Sequence, residues 1–301
     1  MAEELCKQCS IYGKIKCSLL GVYRSLPAGG AFFHPDGKQE DDTQPKSEWT
    51  QSVTELAEKG NRAAASKLLL DLVMEKGTGA QRVILGRNEL GDSGMKPVSA
   101  ALNNLECKIE KLRLSQVGVT DSGAKELTSA LNTNRSLTEL LLSENDLGDS
   151  GVKLVSAALR NPECKIRRLG LERVVLTDSG AEDLASALRT NPSLMELYLG
   201  DNKLGDTGVK LMSVGLRNPE CKIQKLRLER IGLTESGAED LASALNTNPS
   251  LTELQLSDNE LGDSGVKLVS TALRNPECWT MSVSQILVSR ISAALSEQIY
   301  H

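Results

Sequence analysis

Leu251-Thr-Glu-Leu-Gln-Leu-Ser-Asp-Asn-Glu-Leu-Gly-Asp-Ser-Gly265 packs two kinds of structural signal into one short stretch. Leu254 and Leu256 alternate with Glu253 and Gln255, so the leucines share one face of an extended chain and the polar residues share the other. Asp-Ser-Gly then supplies helix-start chemistry, because a short polar side chain accepts hydrogen bonds from the free amides of a first helical turn. The stretch therefore reads as a short strand, a tight loop and the start of a helix.

The same reading recurs along the chain at a fixed step. Cys107, Cys164, Cys221 and Cys278 stand 57 residues apart, and Leu-Gly-Asp-Ser/Thr-Gly returns at 90, 147, 204 and 261. A second series, Thr-Asp/Glu-Ser-Gly, lies midway at 120, 177 and 234, so the 57-residue unit is two alternating repeats of 28 and 29 residues. The first kind carries Ile109, Leu112, Leu114, Val117 and Val119 and their equivalents from Ile166 and Ile223. The second carries Leu137, Leu140, Leu142, Asn145 and Leu147 and their equivalents from Leu194 and Leu251. Val83, Leu85, Asn88 and Leu90 fit the second kind and bring the number of repeats to seven.

After each strand, apolar residues recur at helical spacing, as in Val152, Val155 and Leu159, or Ala181, Leu184 and Leu188. Asn-Pro pairs then end the helix, since proline cannot continue it. One strand and one helix cannot hide their apolar faces alone, whereas stacked units bury a continuous core. The expected fold is an α/β leucine-rich-repeat solenoid over residues 80–279, a right-handed horseshoe with a parallel sheet on the concave side and helices on the convex side. Asn88, Asn145, Asn202 and Asn259 leave the second-kind strands, where their amides are expected to satisfy loop backbone groups.

Cys-Lys-Ile-Gln-Lys-Leu-Arg-Leu at 221–228 and the stretch from Leu251 to Gly265 resemble the repeats of ribonuclease inhibitor, and equally the carboxyl-terminal repeats of NOD-like receptors. The resemblance covers about two thirds of the chain. It implies a protein-interaction module, and for the receptor group a role in innate immune sensing or its regulation; inhibition of an enzyme, or a fragment of a larger receptor, are the alternatives. Many members of that receptor group resemble one another in a phosphate loop, G-x-x-x-x-G-K-[ST]. Gly13-Lys14 and Gly37-Lys38 lack its remaining residues, so no nucleotide is expected to bind.

Residues 1–47 mix Gly, Pro, Lys and acidic residues without periodicity and read as disordered. Cys6, Cys9 and Cys17 have only the distant His34 as a fourth zinc ligand, so free thiols are expected there. Residues 48–79, with Trp49, Val53, Leu56, Leu68, Leu69 and Leu72, suit a helical cap over the first repeat or the remnant of a death-fold domain. The repeat breaks after Cys278, and 280–301 suit a second, carboxyl-terminal helical cap.

Composition narrows the function. A net charge of -5 disfavours nucleic-acid binding, which needs a concentrated basic surface. The amino terminus has no secretory pattern and no run is apolar enough to span a membrane, so a cytoplasmic chain is expected. The repeated cysteines lie two strands apart, roughly 9 to 10 Å, beyond disulfide reach. Only His34 and His301 are available as histidines, and neither accompanies a nucleophile, so no enzyme activity, cofactor or metal is expected.

The outward strand positions form the candidate protein-binding face. First-kind strands present Lys111, Arg113, Arg168, Arg173, Lys225, Arg227 and Arg230. Second-kind strands present Glu139, Glu144, Glu196, Tyr198, Asp201, Glu253 and Asp258. Basic strands alternate with acidic ones, so Arg168 should pair across strands with Glu139 and Glu196, and much of the charge is self-neutralised. Tyr198 and the arginines are the expected anchors, as aromatic and guanidinium groups carry most interface affinity. Reversing Arg168 and Arg227 to Glu is expected to leave folding intact. Residues 80–279 hold 24 basic and 28 acidic side chains, which argues against a dominantly acidic inhibitory face.

Overall fold

The computed structural model describes residues 82–273 apart from 87, 88, 105, 106 and 249. The expectations for 1–79, for Asn88, for Cys278 and for 280–301 lie outside the described residues.

Seven three-residue strands, β1 (Arg82–Ile84), β2 (Lys111–Arg113), β3 (Glu139–Leu141), β4 (Arg168–Gly170), β5 (Glu196–Tyr198), β6 (Lys225–Arg227) and β7 (Glu253–Gln255), form one sheet in sequence order. Each pairs with the next in parallel, and the register aligns Leu112, Leu140, Leu169, Leu197, Leu226 and Leu254 as cross-strand neighbours. These leucines are at most 2% exposed and form one wall of the core.

A helix follows each strand: α1 (Met95–Leu102), α2 (Asp121–Leu131), α3 (Gly148–Leu159), α4 (Asp178–Thr190), α5 (Gly205–Leu216), α6 (Glu235–Leu245) and α7 (Gly262–Ala272). Val152, Val155 and Leu159, and likewise Ala181, Leu184 and Leu188, are buried against the leucine wall. Helices pack 8 to 10 Å apart and strands about 4.8 Å apart. The stack therefore bends into a solenoid, with the parallel sheet concave and the helices convex. Among the described residues no helix is long and apolar enough to cross a membrane. Cys107, Cys164 and Cys221 are buried free thiols, and burial pushes the latter two above the ordinary thiol range.

Three sets of polar side chains tie each coil to its neighbour. Asn145 Oδ1 accepts from Val117 N at 3.0 Å and Val119 N at 3.2 Å, while its Nδ2 donates to Leu114 O and Leu142 O at 2.8 and 2.7 Å. Asn202 and Asn259 repeat the pattern, as their spacing predicts. Asn134, Asn191 and Asn248 form a second ladder. Each donates to a helix-end carbonyl one coil back, Leu102, Leu159 and Leu216 respectively.

The third set corrects a sequence expectation. The aspartate of Leu-Gly-Asp-Ser/Thr-Gly does not cap its own helix; α3 and α5 start with no side-chain cap. Instead Asp149 reaches the next coil, where its Oδ1 accepts from Thr177 N at 2.8 Å and its Oδ2 from Thr177 Oγ1 at 2.6 Å. Asp92 and Asp206 do the same for Thr120 and Thr234. These threonines are the actual caps of α2, α4 and α6, accepting from Ser122, Ser179 and Ser236. The glycine of Thr-Asp/Glu-Ser-Gly follows from this clamp, since a Cβ at Gly180 would stand 2.6 Å from Asp149 Oδ1.

Candidate interaction surface

Strand alternation lays the outward side chains in rows across the sheet. The first strand residues form one row: Arg82, Lys111, Glu139, Arg168, Glu196, Lys225 and Glu253. The third residues form another, with Arg113, Leu141, Gly170, Tyr198 and Arg227 among them. Cross-strand geometry places opposite charges side by side in the first row, and the ion pairs follow that register.

Glu139 is the hub. Only 3% exposed, it receives Lys111 Nζ at 4.0 Å, Arg113 Nε at 3.2 Å and Arg168 Nη1 at 3.3 Å. Arg168 continues the chain by donating through Nε to Glu196 at 2.6 Å. Burial alone would raise the Glu196 pKa, but hydrogen bonds from Arg168 and from the Tyr198 hydroxyl hold it below the usual carboxylate range. The Arg227 guanidinium lies 4.6 Å from the Tyr198 ring centroid and pairs with Glu253, which also meets Lys225 at 3.2 Å. Tyr198 is thus part of the floor, 3% exposed, and Arg227 is 8% exposed.

Two further rows lie past the strand ends. Alternation continues to Ser115, Ser143, Glu172, Gly200, Glu229 and Ser257, a row that strand reading alone passes over. Ser143 Oγ donates to Glu172, and a Cβ at Gly170 would meet Glu172 Oε2 at 3.1 Å, so this carboxylate lies on the same face as the third strand row. A Cβ at Gly200 would meet Glu229 Oε2 at 2.8 Å. Burial raises the pKa of both Glu172 and Glu229. The sequence carries a signal for them: Glu172 and Glu229 stand two residues beyond Gly170 and Arg227, the third strand residues, in the same alternation.

The last row is a turn. Gln116, Glu144, Arg173, Asp201, Arg230 and Asp258 all have positive φ, between 49° and 59°. Asp201 accepts from both Arg173, at 3.2 Å, and Arg230, and its pKa is lowered chiefly by the Arg230 hydrogen bond. Arg230 also reaches Asp258 at 3.1 Å. Of the sequence-predicted residues, the sheet therefore joins Lys111, Arg113, Glu139, Arg168, Glu196, Tyr198, Arg227, Lys225 and Glu253 into one network. Arg173, Asp201, Arg230 and Asp258 form a second one at the rim. Among the described residues, no group of three or more His, Cys, Asp and Glu is placed to hold a metal ion.

A parallel sheet built one strand per coil, backed by helices and stitched by asparagine ladders, defines a leucine-rich-repeat protein of the ribonuclease-inhibitor type. Three segments, 133–156, 190–213 and 247–270, match the family described as Leucine Rich repeat, and all three fall on second-kind repeats. The chain is 40% identical over 194 residues to NACHT, LRR and PYD domains-containing protein 3 of Macaca mulatta, covering 64% of this chain and 19% of that protein. It is 44% identical over 169 residues to ribonuclease inhibitor of Sus scrofa, covering 56% of this chain and 37% of that one. The chain thus spans about a fifth of the first relative and just over a third of the second. The solved leiomodin-1 actin-binding site 2 aligns with a TM-score of 0.39 at 14% identity, over 67% of this chain and 94% of that chain.

Proposed function

We propose that this chain is a non-catalytic protein-interaction module that receives a protein partner on the concave face of its sheet. In keeping with its resemblance to NOD-like receptor repeats, it serves innate immune sensing or regulation in the cytoplasm. One observation supports the reading above others: sixteen charged side chains among the described residues stand on that one face in fixed strand register. The ladders behind the sheet hold them in place before any partner arrives, which lowers the ordering cost of association. Glu139 and Arg168 lock one another and Arg227 is held by Glu253 and the Tyr198 ring, while Lys111, Arg173, Arg230 and Asp258 stay exposed enough to touch a partner.

A photo-crosslinking residue placed at Leu141 or Ser257 on the concave face, and at Lys210 on convex α5, tests the reading in cells. Adducts from the concave positions are expected. Adducts from Lys210 alone would refute the assignment.

A second reading, inhibition of a ribonuclease, is favoured by the 44% identity to ribonuclease inhibitor. Stoichiometric loss of ribonuclease activity on adding the purified chain would establish it. The face opposes that outcome, because its acidic and basic side chains are equal in number.

A further inference from the structure

The face is neutral in sum but polarised across its width. The two strand rows hold six cations, among them Lys111, Arg113 and Lys225, against three glutamates. The two rows past the strand ends hold five carboxylates, among them Glu144, Glu229 and Asp258, against Arg173 and Arg230. At about 3.3 Å per residue, the two halves are centred at most about 12 Å apart. That distance exceeds the screening length of about 8 Å at physiological salt, so the exposed charges of the two halves are largely screened from one another, while Arg227 acts on the buried Glu172 and Glu229 at the boundary.

The division runs the length of the sheet. Cations occupy the strand rows of β1, β2, β4 and β6, and carboxylates occupy the rows past β3, β4, β5, β6 and β7. Ion pairs are made almost wholly within a half: Lys111, Arg113 and Arg168 share Glu139, and Arg173 and Arg230 share Asp201. Within the strand half, three cations thus converge on a single carboxylate. Lys111, 40% exposed and 4.0 Å away, is held loosely enough to turn toward an incoming anion.

We infer that the concave face takes a protein element of mixed charge in one orientation, its acidic side chains over the strand rows and its basic side chains over the turn rows. This rests on the proposed function and specifies the partner's chemistry. A phosphate polymer would meet repulsion from the turn rows, and a uniformly basic protein would meet it from the strand rows. A two-sided surface satisfies both and would be misaligned if rotated by half a turn.

The test titrates the full chain with hexaglutamate, hexalysine and a single-stranded RNA oligonucleotide. In the Lys111→Glu/Lys225→Glu variant, hexaglutamate affinity is expected to fall at least tenfold with hexalysine affinity unchanged. In Glu144→Lys/Asp258→Lys the pattern should invert. Lys111→Gln/Lys225→Gln provides the same comparison if a reversal variant fails to fold. Hexaglutamate indifferent to the lysines, both peptides weakened by the same variant, or RNA bound through Lys111 and Lys225 as tightly as hexaglutamate would overturn the inference. Concave crosslinks that persist despite such a result would leave the protein-binding reading standing, so the two failures are separable.

Discussion

Replacing Asn202 with Ala removes four hydrogen bonds, three of which cross from one coil to the next. Its Oδ1 accepts from Val174 N and Leu176 N, both at 3.1 Å, and its Nδ2 donates to Leu171 O at 2.7 Å and Leu199 O at 2.8 Å. Asn202 is 4% exposed, so water cannot readily take over these bonds. Two amides and two carbonyls lose a partner, each at about 1 kcal/mol or more, for a total of about 4 kcal/mol. Against a whole-domain stability of about 5 to 15 kcal/mol, that is a large loss. Asn259 makes the equivalent bonds at 2.7 to 3.1 Å near the end of the described stack, but only partly buried. Asn259→Ala should therefore lose roughly half as much. Urea unfolding followed by circular dichroism gives both values from the midpoint and slope. A loss below about 1 kcal/mol for Asn202→Ala, or a larger loss for Asn259→Ala, would refute the inter-coil reasoning.

The cross-coil clamp predicts that Asp149→Ala destabilises by about 2 kcal/mol in calorimetry, since it strips a charged acceptor from Thr177 N and Thr177 Oγ1; an unchanged melting point would assign the aspartate to the solvent. Val175 has φ of 61° and is 58% exposed, where the equivalent repeats carry Gly118 and Gly232. Val175→Asn should stabilise by about 1 kcal/mol, because asparagine tolerates the left-handed region that a β-branched residue resists; chemical denaturation will show it. Burial raises the Glu172 pKa, so its ionised form is disfavoured in the fold and stability falls as pH rises through that raised pKa. Glu172→Gln should accordingly raise the melting temperature at pH 8, with the gain vanishing below the ordinary carboxylate pKa. Asp201→Asn should behave oppositely: the lowered Asp201 pKa supplies stability above the ordinary carboxylate pKa, lost as pH falls through the lowered value.

Why some of this was legible in the sequence and some was not follows from the range of each interaction. Leu112 and Leu114 could be assigned to the core because alternation is a local property, and Asn145 because a buried loop needs a partner for its backbone wherever it lies. Asp149 was misread as a cap for its own helix because its partner stands 28 residues on, at a distance only the stacked coil makes short. Tyr198 was expected as an exposed anchor, yet the Arg227 guanidinium over its ring and the hydrogen bond to Glu196 make it floor. The same contacts change the outlook for reversing Arg168 and Arg227. Both are embedded among carboxylates or an aromatic ring, so reversal perturbs the network rather than a free surface. Glu172 and Glu229 fall between the strand residues and the turn residues that spacing marks, and the packed coils reveal what local spacing does not, their carboxylates beside Gly170 and Gly200 on the same face.

Leu169 and Arg173 stand four residues apart on opposite sides of the β4 coil, one in the wall of the core at 0% exposure and the other on the rim with its side chain 55% exposed. Equilibrium unfolding of Leu169→Asp and Arg173→Glu side by side is the shortest route to the face assignment. Burying an unpaired aspartate should remove about 3 to 5 kcal/mol, while the rim reversal should cost about 1 kcal/mol or less. Comparable damage from the two variants would mean that the leucines do not line the interior, and the concave surface described for this chain would not exist.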